Sequence, residues 1–300
     1  MKKNTPLWLG GILLTFIFLV MFAGPYLPFI DKDLNQERSR WMMIDGEEKL
    51  RLPIFKPSSK NWIGTDKQGV DNLSKIVVAT KETILLVIII ALTRYMIAIP
   101  LGLMARKMKG VSHQIITVLN QMFSYLPPVF SSALLLAIPY FLFSQHRIAW
   151  AIFILAVVEV GRVAYTTQHQ VNKMGQELYM EASTALGLRT RTLTKHYFIP
   201  NLFPEVVVNF FIDMGKVMLL IGQLAIMNIF LGHEWKEVNY YTMEFVETGY
   251  NWATILAKHR HEIFLGKFEF IFYPASAMMF AIIAFNLFGE GLRRRFQLKG

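Results

Sequence analysis

The chain has no cysteine among its 300 residues. Disulfides, thiol nucleophiles and Cys-ligated zinc or iron–sulfur centres are therefore excluded, and cysteine usage says nothing of the redox compartment. Charge is scarce too, with 17% charged against 54% hydrophobic residues and a mean hydropathy of +0.38. That is far from a soluble domain and close to a chain whose apolar side chains face a bilayer. No Gly-x-x-x-x-Gly-Lys-Ser/Thr run occurs, so no phosphate-cradling loop can be placed and the chain is not expected to hydrolyse ATP itself. His-Glu-x-x-His and Gly-x-Ser-x-Gly are absent as well, which removes the commonest zinc-peptidase and serine-hydrolase signals. The densest histidine cluster, His259-Arg260-His261-Glu262, has an intervening arginine and reads as solvated surface rather than a metal site. No catalytic residue, metal or cofactor belonging to this chain is expected.

What is present is a succession of long apolar runs. Lys2 and Lys3 precede the first, 7–30, which is long enough at about 1.5 Å per residue to cross a hydrocarbon core of roughly 30 Å. It is read as a retained span, because Ala23-Gly24-Pro25 is a poor signal-peptidase site. A polar segment, 31–82, contains Pro53 and Pro57. Further runs follow at 83–104, with Arg94 near its middle; at 115–143, broken by Pro127, Pro128 and Pro139; and at 148–164, carrying Glu159. The last two are 202–231, with Asp213 and Lys216 three apart on one helical face, and 268–288. Between these two lies a second polar, aromatic-rich segment at 233–267. The pattern predicts an all-α membrane protein with six transmembrane helices.

The net charge of +10 fits basic residues gathered at cytoplasmic helix ends rather than nucleic-acid binding. Arg106, Lys107 and Lys109 form one short turn, whereas the opposite short turn at 145–147 has Arg147 alone. This asymmetry places both termini and the basic segment 172–201 in the cytoplasm.

That segment is the most informative part of the chain. Leu178, Ala182, Ala185 and Leu186 share one helical face, and Gly187 suits the left-handed position that ends such a helix. Thr190 is expected to cap a second short helix and Pro200 to stop it. The order Glu181-Ala182-Ser183, three residues, Gly187, nine residues, Tyr197, one residue, Ile199-Pro200 resembles the shared loop of the integral-membrane permease subunits of ATP-binding-cassette importers. There the loop reads Glu-Ala-Ala, Gly, then Ile, one residue, Leu-Pro; Ser183, Tyr197 and Ile199 depart from it.

Two further stretches narrow the resemblance. Gly64-Thr65-Asp66, followed by Gly69 and Asp71, is similar to a signature of oligopeptide and dipeptide permease C-type subunits, with Val70 in place of its arginine. On chemistry alone Asp66 and Asp71 suggest a helix cap before a cation site. Ala284-Phe285-Asn286-Leu287-Phe288-Gly289-Glu290-Gly291-Leu292-Arg293 resembles the ending of the same subunits.

The resemblance implies a type I importer permease fold. It divides the chain into a cytoplasmic end and first span at 1–30, an extracytoplasmic segment at 31–82 and a permease core at 83–300. Within the core it implies a coupling loop at 172–201 between the fourth and fifth spans, an extracytoplasmic segment at 233–267 and a cytoplasmic tail at 289–300. It assigns ATPase coupling to Glu181, Ala182, Ser183, Gly187, Tyr197, Ile199 and Pro200. It also implies partners: a homologous second permease, two ATPase subunits that bind ATP and Mg, an extracytoplasmic solute-binding protein, and a peptide substrate at a bacterial-type inner membrane. Nickel chelates or another small solute are the alternative cargo. A non-transporting scaffold or a secondary transporter is the alternative from another class.

Arg94, Glu159, Asp213 and Lys216 lie within apolar runs, where a charge costs at least about 2.5–3.5 kcal/mol near a helix centre and is kept out of lipid. They either line a translocation path or pair with one another and with the partner permease.

Overall fold

The computed structural model describes residues 4–44, 47–239 and 242–297; Lys2 and Lys3 lie outside them. Eleven helices dominate among the described residues. Helix α1 (Thr5–Ala23) leads to the segment that contains strands β1 (Arg40–Ile44) and β2 (Glu47–Arg51). Helices α2 (Asn72–Met104), α3 (Val111–Ser124), α4 (Pro128–Leu136), α5 (Pro139–Leu142) and α6 (Arg147–Gly175) follow. Then come α7 (Leu178–Ala185), α8 (Thr190–Leu193), a π-turn (Thr194–Phe198) and α9 (Ile199–Ile226). Strands β3 (His233–Asn239) and β4 (Thr242–Glu247), α10 (Trp252–His259) and α11 (Glu269–Gln297) complete the chain.

Among the described residues, four helices are long and apolar enough to cross a membrane: Thr5–Tyr26, Asn72–Met104, Arg147–Gly175 and Glu269–Gln297. The expected span at 115–143 is three short helices instead of one, because Pro127 and Pro128 remove two backbone donors and Pro139 starts a fresh turn. The all-α expectation also needs correcting. Both polar segments hold an antiparallel hairpin, β1 with β2 and β3 with β4. In the second, Trp235 is paired with Phe245, their rings stand 4.4 Å apart, and both meet Phe143 at 5.7 Å just beyond α5. Those aromatics join the hairpin to the turn after α5. Mixed charge along the strands hid it from a hydrophobicity reading.

Helix α2 begins before the apolar run because Asp71 caps it. The carboxylate accepts the Ser74 backbone N–H and hydroxyl, each at 2.7 Å, and the Asn61 amide at 3.0 Å. Asp66 accepts the backbone N–H groups of Gln68 and Val70 at 2.8 and 2.9 Å and the Lys75 ammonium. Both acids therefore hold a turn and a cap. The histidine cluster is less solvated than expected: Glu262 is buried and pairs with Lys67 at 2.6 Å. His259 packs beside Lys75 at 3.3 Å, and burial and that cation hold its imidazole down at about 4.

The long helices share a main apolar core, with a smaller cluster between α2, α3 and α6. Leu14, Ile17 and Met21 of α1, Ile84, Val87 and Ile90 of α2, Leu155 of α6, Met218 and Ile221 of α9 and Phe285 of α11 all lie in the main core. Trp8, Ile12, Phe16 and Leu19 on the other side of α1 are exposed, as expected where the solvent is lipid. Lipid is as apolar as a leucine, so helices approach through small residues. Gly10 of α1 rests on the α11 backbone at Leu287 and Phe288, where any Cβ would collide, whereas the nearest atom to a Cβ at Gly11 is 3.9 Å away. Gly10→Val should therefore push α1 off α11, cost about 1–3 kcal/mol as overpacking does, and lower the melting temperature in detergent. Gly11→Val should not, and equal melting temperatures for the two variants would contradict this packing.

Candidate functional site

Two groups of residues stand out, one at the turn between α6 and α9 and one where α2, α6 and α9 cross. At the turn, α7 ends as the sequence requires. Gly187 has φ +75°, and the Leu188 N–H donates to the Ser183 carbonyl at 3.2 Å, the hydrogen bond that closes a helix on a left-handed glycine. The Ser183 hydroxyl donates to the Tyr179 carbonyl at 2.7 Å. Space around Gly187 is open, so a side chain there meets only the backbone's own strain.

The second half of the hook differs from expectation. Arg189, not Thr190, occupies the cap position, and its side chain makes no capping bond. Thr190 instead accepts from Arg106 at 3.0 Å, tying the hook to the turn after α2. Pro200 does not stop a helix. It sits in the first turn of α9, where its missing N–H is not needed, and the π-turn carries the helix from α8 into α9.

The hook is anchored by a small apolar core of Val171, Met180, Leu193, Phe198 and Leu202, with the Arg106 guanidinium 5.4 Å above the Phe198 ring. Sequence reading missed Met180, Leu193 and Phe198, which carry only an ordinary apolar signal, and read Arg106 as part of a basic turn without its contacts to the hook. The face expected to be apolar is apolar, and it points outward: Leu178 is 82% and Leu186 83% exposed, with Ala182 and Ala185 exposed between them. Tyr197 stacks near Tyr179 at 6.3 Å, and Ile199 and Pro200 are exposed. The side chain of Glu181 lies outside the described residues.

The second group is built around Asp213 of α9, which is 2% exposed. Its Oδ1 accepts from Arg162 Nη2 of α6 at 2.9 Å and meets Lys216 Nζ one turn along α9 at 3.3 Å. Its Oδ2 accepts from the Tyr95 hydroxyl of α2 at 3.1 Å and faces Arg94 Nη1 at 3.8 Å. Arg162 also donates to Glu159 at 2.5 Å. All four expected charges thus converge, but through two residues the sequence reading left out. Arg162 closes the gap between Glu159 and Asp213, and Tyr95 completes the carboxylate's coordination.

Three cations surround two carboxylates, so the group carries one positive charge in excess. Arg94 is 1% exposed. Its Nη2 donates to the Leu155 carbonyl at 3.1 Å, while Nε and Nη1 make no hydrogen bond. Arg94, Glu159 and Lys216 line a cavity of about 260 Å³ beside Pro127, Pro128 and Gln223. The arrangement can hold an anionic or zwitterionic group, because Lys216 and Arg162 remain partly exposed. Among the described residues, no group of three or more His, Asp or Glu side chains is placed to bind a metal.

Residues 98–299 match the family model described as binding-protein-dependent transport system inner membrane component. A probable D,D-dipeptide transport system permease protein of Escherichia coli (strain K12) is 24% identical over 98% of this chain and 88% of its own length. A glutathione transport system permease protein of Pectobacterium atrosepticum is 24% identical over 79% of this chain and 72% of its own. A dipeptide transport system permease protein of Bacillus subtilis (strain 168) is 20% identical over 98% and 82%.

Proposed function

Since this chain belongs to the family of inner membrane components of binding-protein-dependent transport systems, we propose that it is the permease subunit of an ATP-driven importer for dipeptides or oligopeptides. The observation that carries the proposal is the hook. It is a short helix ended by a left-handed glycine, anchored from below by its own core and presenting an exposed apolar strip of Leu178, Ala182 and Leu186. Such a strip fits the groove of a separate ATPase subunit. Three curated relatives are named for dipeptide, D,D-dipeptide and glutathione transport, which supports a peptide cargo.

In this reading the subunit has six membrane crossings, with the broken stretch α3–α5 as the third and the hook between the fourth and fifth. Both termini and the hook face the cytoplasm, and the two hairpin-bearing segments face outward, toward a solute-binding protein. A homologous permease completes the path, and two ATPases supply energy. Arg94, Glu159, Asp213 and Lys216 form one wall of that path, where charge meets the ends of a zwitterionic peptide. ATP-driven closure of the ATPases moves the hook, and α6 and α9, joined rigidly to it, carry the motion to the wall.

The test separates the hook from the spans. Gly187→Val places a β-branched residue at φ +75°, which costs about 1 kcal/mol or more, while Gly187→Asn is tolerated there. In a reconstituted complex the Val variant should insert normally and capture substrate normally, yet lose substrate-stimulated ATP hydrolysis; the Asn variant should retain most of it. Full stimulation and transport in Gly187→Val would reduce the hook to a connector.

A further inference from the structure

Arg147 was read from sequence as a turn residue, yet it is 2% exposed. It opens α6, and because α6 runs on to Gly175 with the hook immediately after, it lies roughly 43 Å from the hook at 1.5 Å per residue. Its Nη1 donates to the Leu136 carbonyl at 2.6 Å and its Nη2 to the Phe230 carbonyl at 3.4 Å. Nε is buried with no partner. Among the described residues no carboxylate is within ion-pair distance of this guanidinium, unlike Arg94, Arg162, Arg293 and Arg294. A buried cation is ordinarily compensated. Tying two carbonyls together requires only neutral donors, so the charge is surplus to that task.

Arg147, whose guanidinium bridges the Leu136 and Phe230 carbonyls, lines a cavity of about 340 Å³ whose other walls are Leu136, Ala137, Leu142, Phe230 and Phe245, with Asn228 beside them. Asn228 has φ +62°, a conformation asparagine enters more readily than most residues. His233 is also there, with Nε2 directed at the Leu142 carbonyl at 3.1 Å. Burial, and Arg147 next to it, push its imidazole below the ordinary range, so Arg147 is the only cation in the pocket. A cavity of this size is at the small end of ligand pockets and has room for one residue with its side chain. Its apolar walls and single buried guanidinium match a carboxylate attached to an apolar group, since guanidinium and carboxylate meet edge to edge.

We infer that this pocket is a carboxylate-binding site for a small molecule bearing an apolar side chain, the chemistry of a peptide's C-terminal residue. Only the identification with a peptide rests on the importer reading; the carboxylate chemistry stands on the pocket alone. The site is distinct from the Asp213 cluster, shares no residue with it, and lies nearer the end of the bundle away from the hook.

The experiment uses the full-length chain in its assembled complex, in nanodiscs, with 3-phenylpropanoate and its neutral amide as probes. The acid should bind about tenfold or more tightly than the amide. Arg147→Gln should erase that preference, and Arg147→Lys should retain part of it. Because Arg147→Gln also loosens the ties to Leu136 and Phe230, Ala137→Phe provides a second variant that leaves Arg147 untouched and fills the cavity; it should lose acid binding with an unchanged melting temperature. Equal binding of acid and amide by the wild type, or an acid preference surviving both Arg147→Gln and Ala137→Phe, would overturn the site. Uptake of Ala-Phe against its C-terminal amide is measured in parallel. If the probe acid binds through Arg147 while neither peptide is taken up, the peptide reading fails and the carboxylate site stands.

Discussion

One carboxylate governs how the long helices meet. Asp213, on α9, is coordinated from α2 by Tyr95 and Arg94 and from α6 by Arg162, so the relative placement of three helices is specified at a single buried point. In a medium without water each of these groups is costly alone, and together they are tolerable only in one arrangement. A cluster of this kind is weak evidence for high stability, because desolvation offsets much of the attraction. Its effect is on register. If α9 slides or rotates by one residue, the carboxylate leaves Arg94 and Tyr95 unsatisfied. The excess cation and the incompletely bonded Arg94 are the features on which the proposed contact with a substrate charge rests.

The rest of the bundle is held by shape. With no hydrophobic drive between lipid-bathed helices, close approach is the available source of attraction, and Gly10, Gly102, Gly161 and Gly291 are all places where a Cβ would strike a neighbouring backbone. Apolar side chains left exposed along α1 and α11 are consistent with that solvent. The hook follows a different logic. It carries an apolar core of its own, from Val171 to Leu202, in which the end of α6, the hook and the start of α9 pack together, and α6 and α9 lead from that core to Glu159 and Asp213.

Much of this was legible in the residues. Apolar runs located the long helices, because a membrane span needs an uninterrupted length that few other structures require. Gly187 was legible because only glycine enters the left-handed region without penalty, and Asp71 because a carboxylate ahead of a serine-bearing helix start has one obvious use. What failed did so for identifiable reasons. Arg162 sits at the polar end of an apolar run and looks like an interfacial anchor; only the fold turns it inward to Asp213. Tyr95 is an apolar-run residue until a carboxylate faces it. Pro200 normally predicts a break, but a π-turn before it and a first-turn position after it satisfy the backbone without one. The β3–β4 hairpin was hidden because its stability comes from cross-strand aromatics packed on Phe143, a tertiary contact with no period in the sequence.

In the proposed reading, coupling of the hook to the path depends on α2, α6 and α9 remaining registered at Asp213. The most direct measurement is a double-mutant cycle in nanodiscs, with Asp213→Asn, Arg94→Gln and the pair, read as unfolding free energies. Asp213→Asn leaves three cations with only Glu159 to offset them and should destabilise by about 3–5 kcal/mol, whereas Arg94→Gln leaves Asp213 still paired with Arg162 and Lys216 and should cost less. The pair should cost less than the two added together by about 1 kcal/mol or more, within the range for residues in contact. Strict additivity, or single variants as stable as the wild type, would show that the carboxylate does not hold these helices in register.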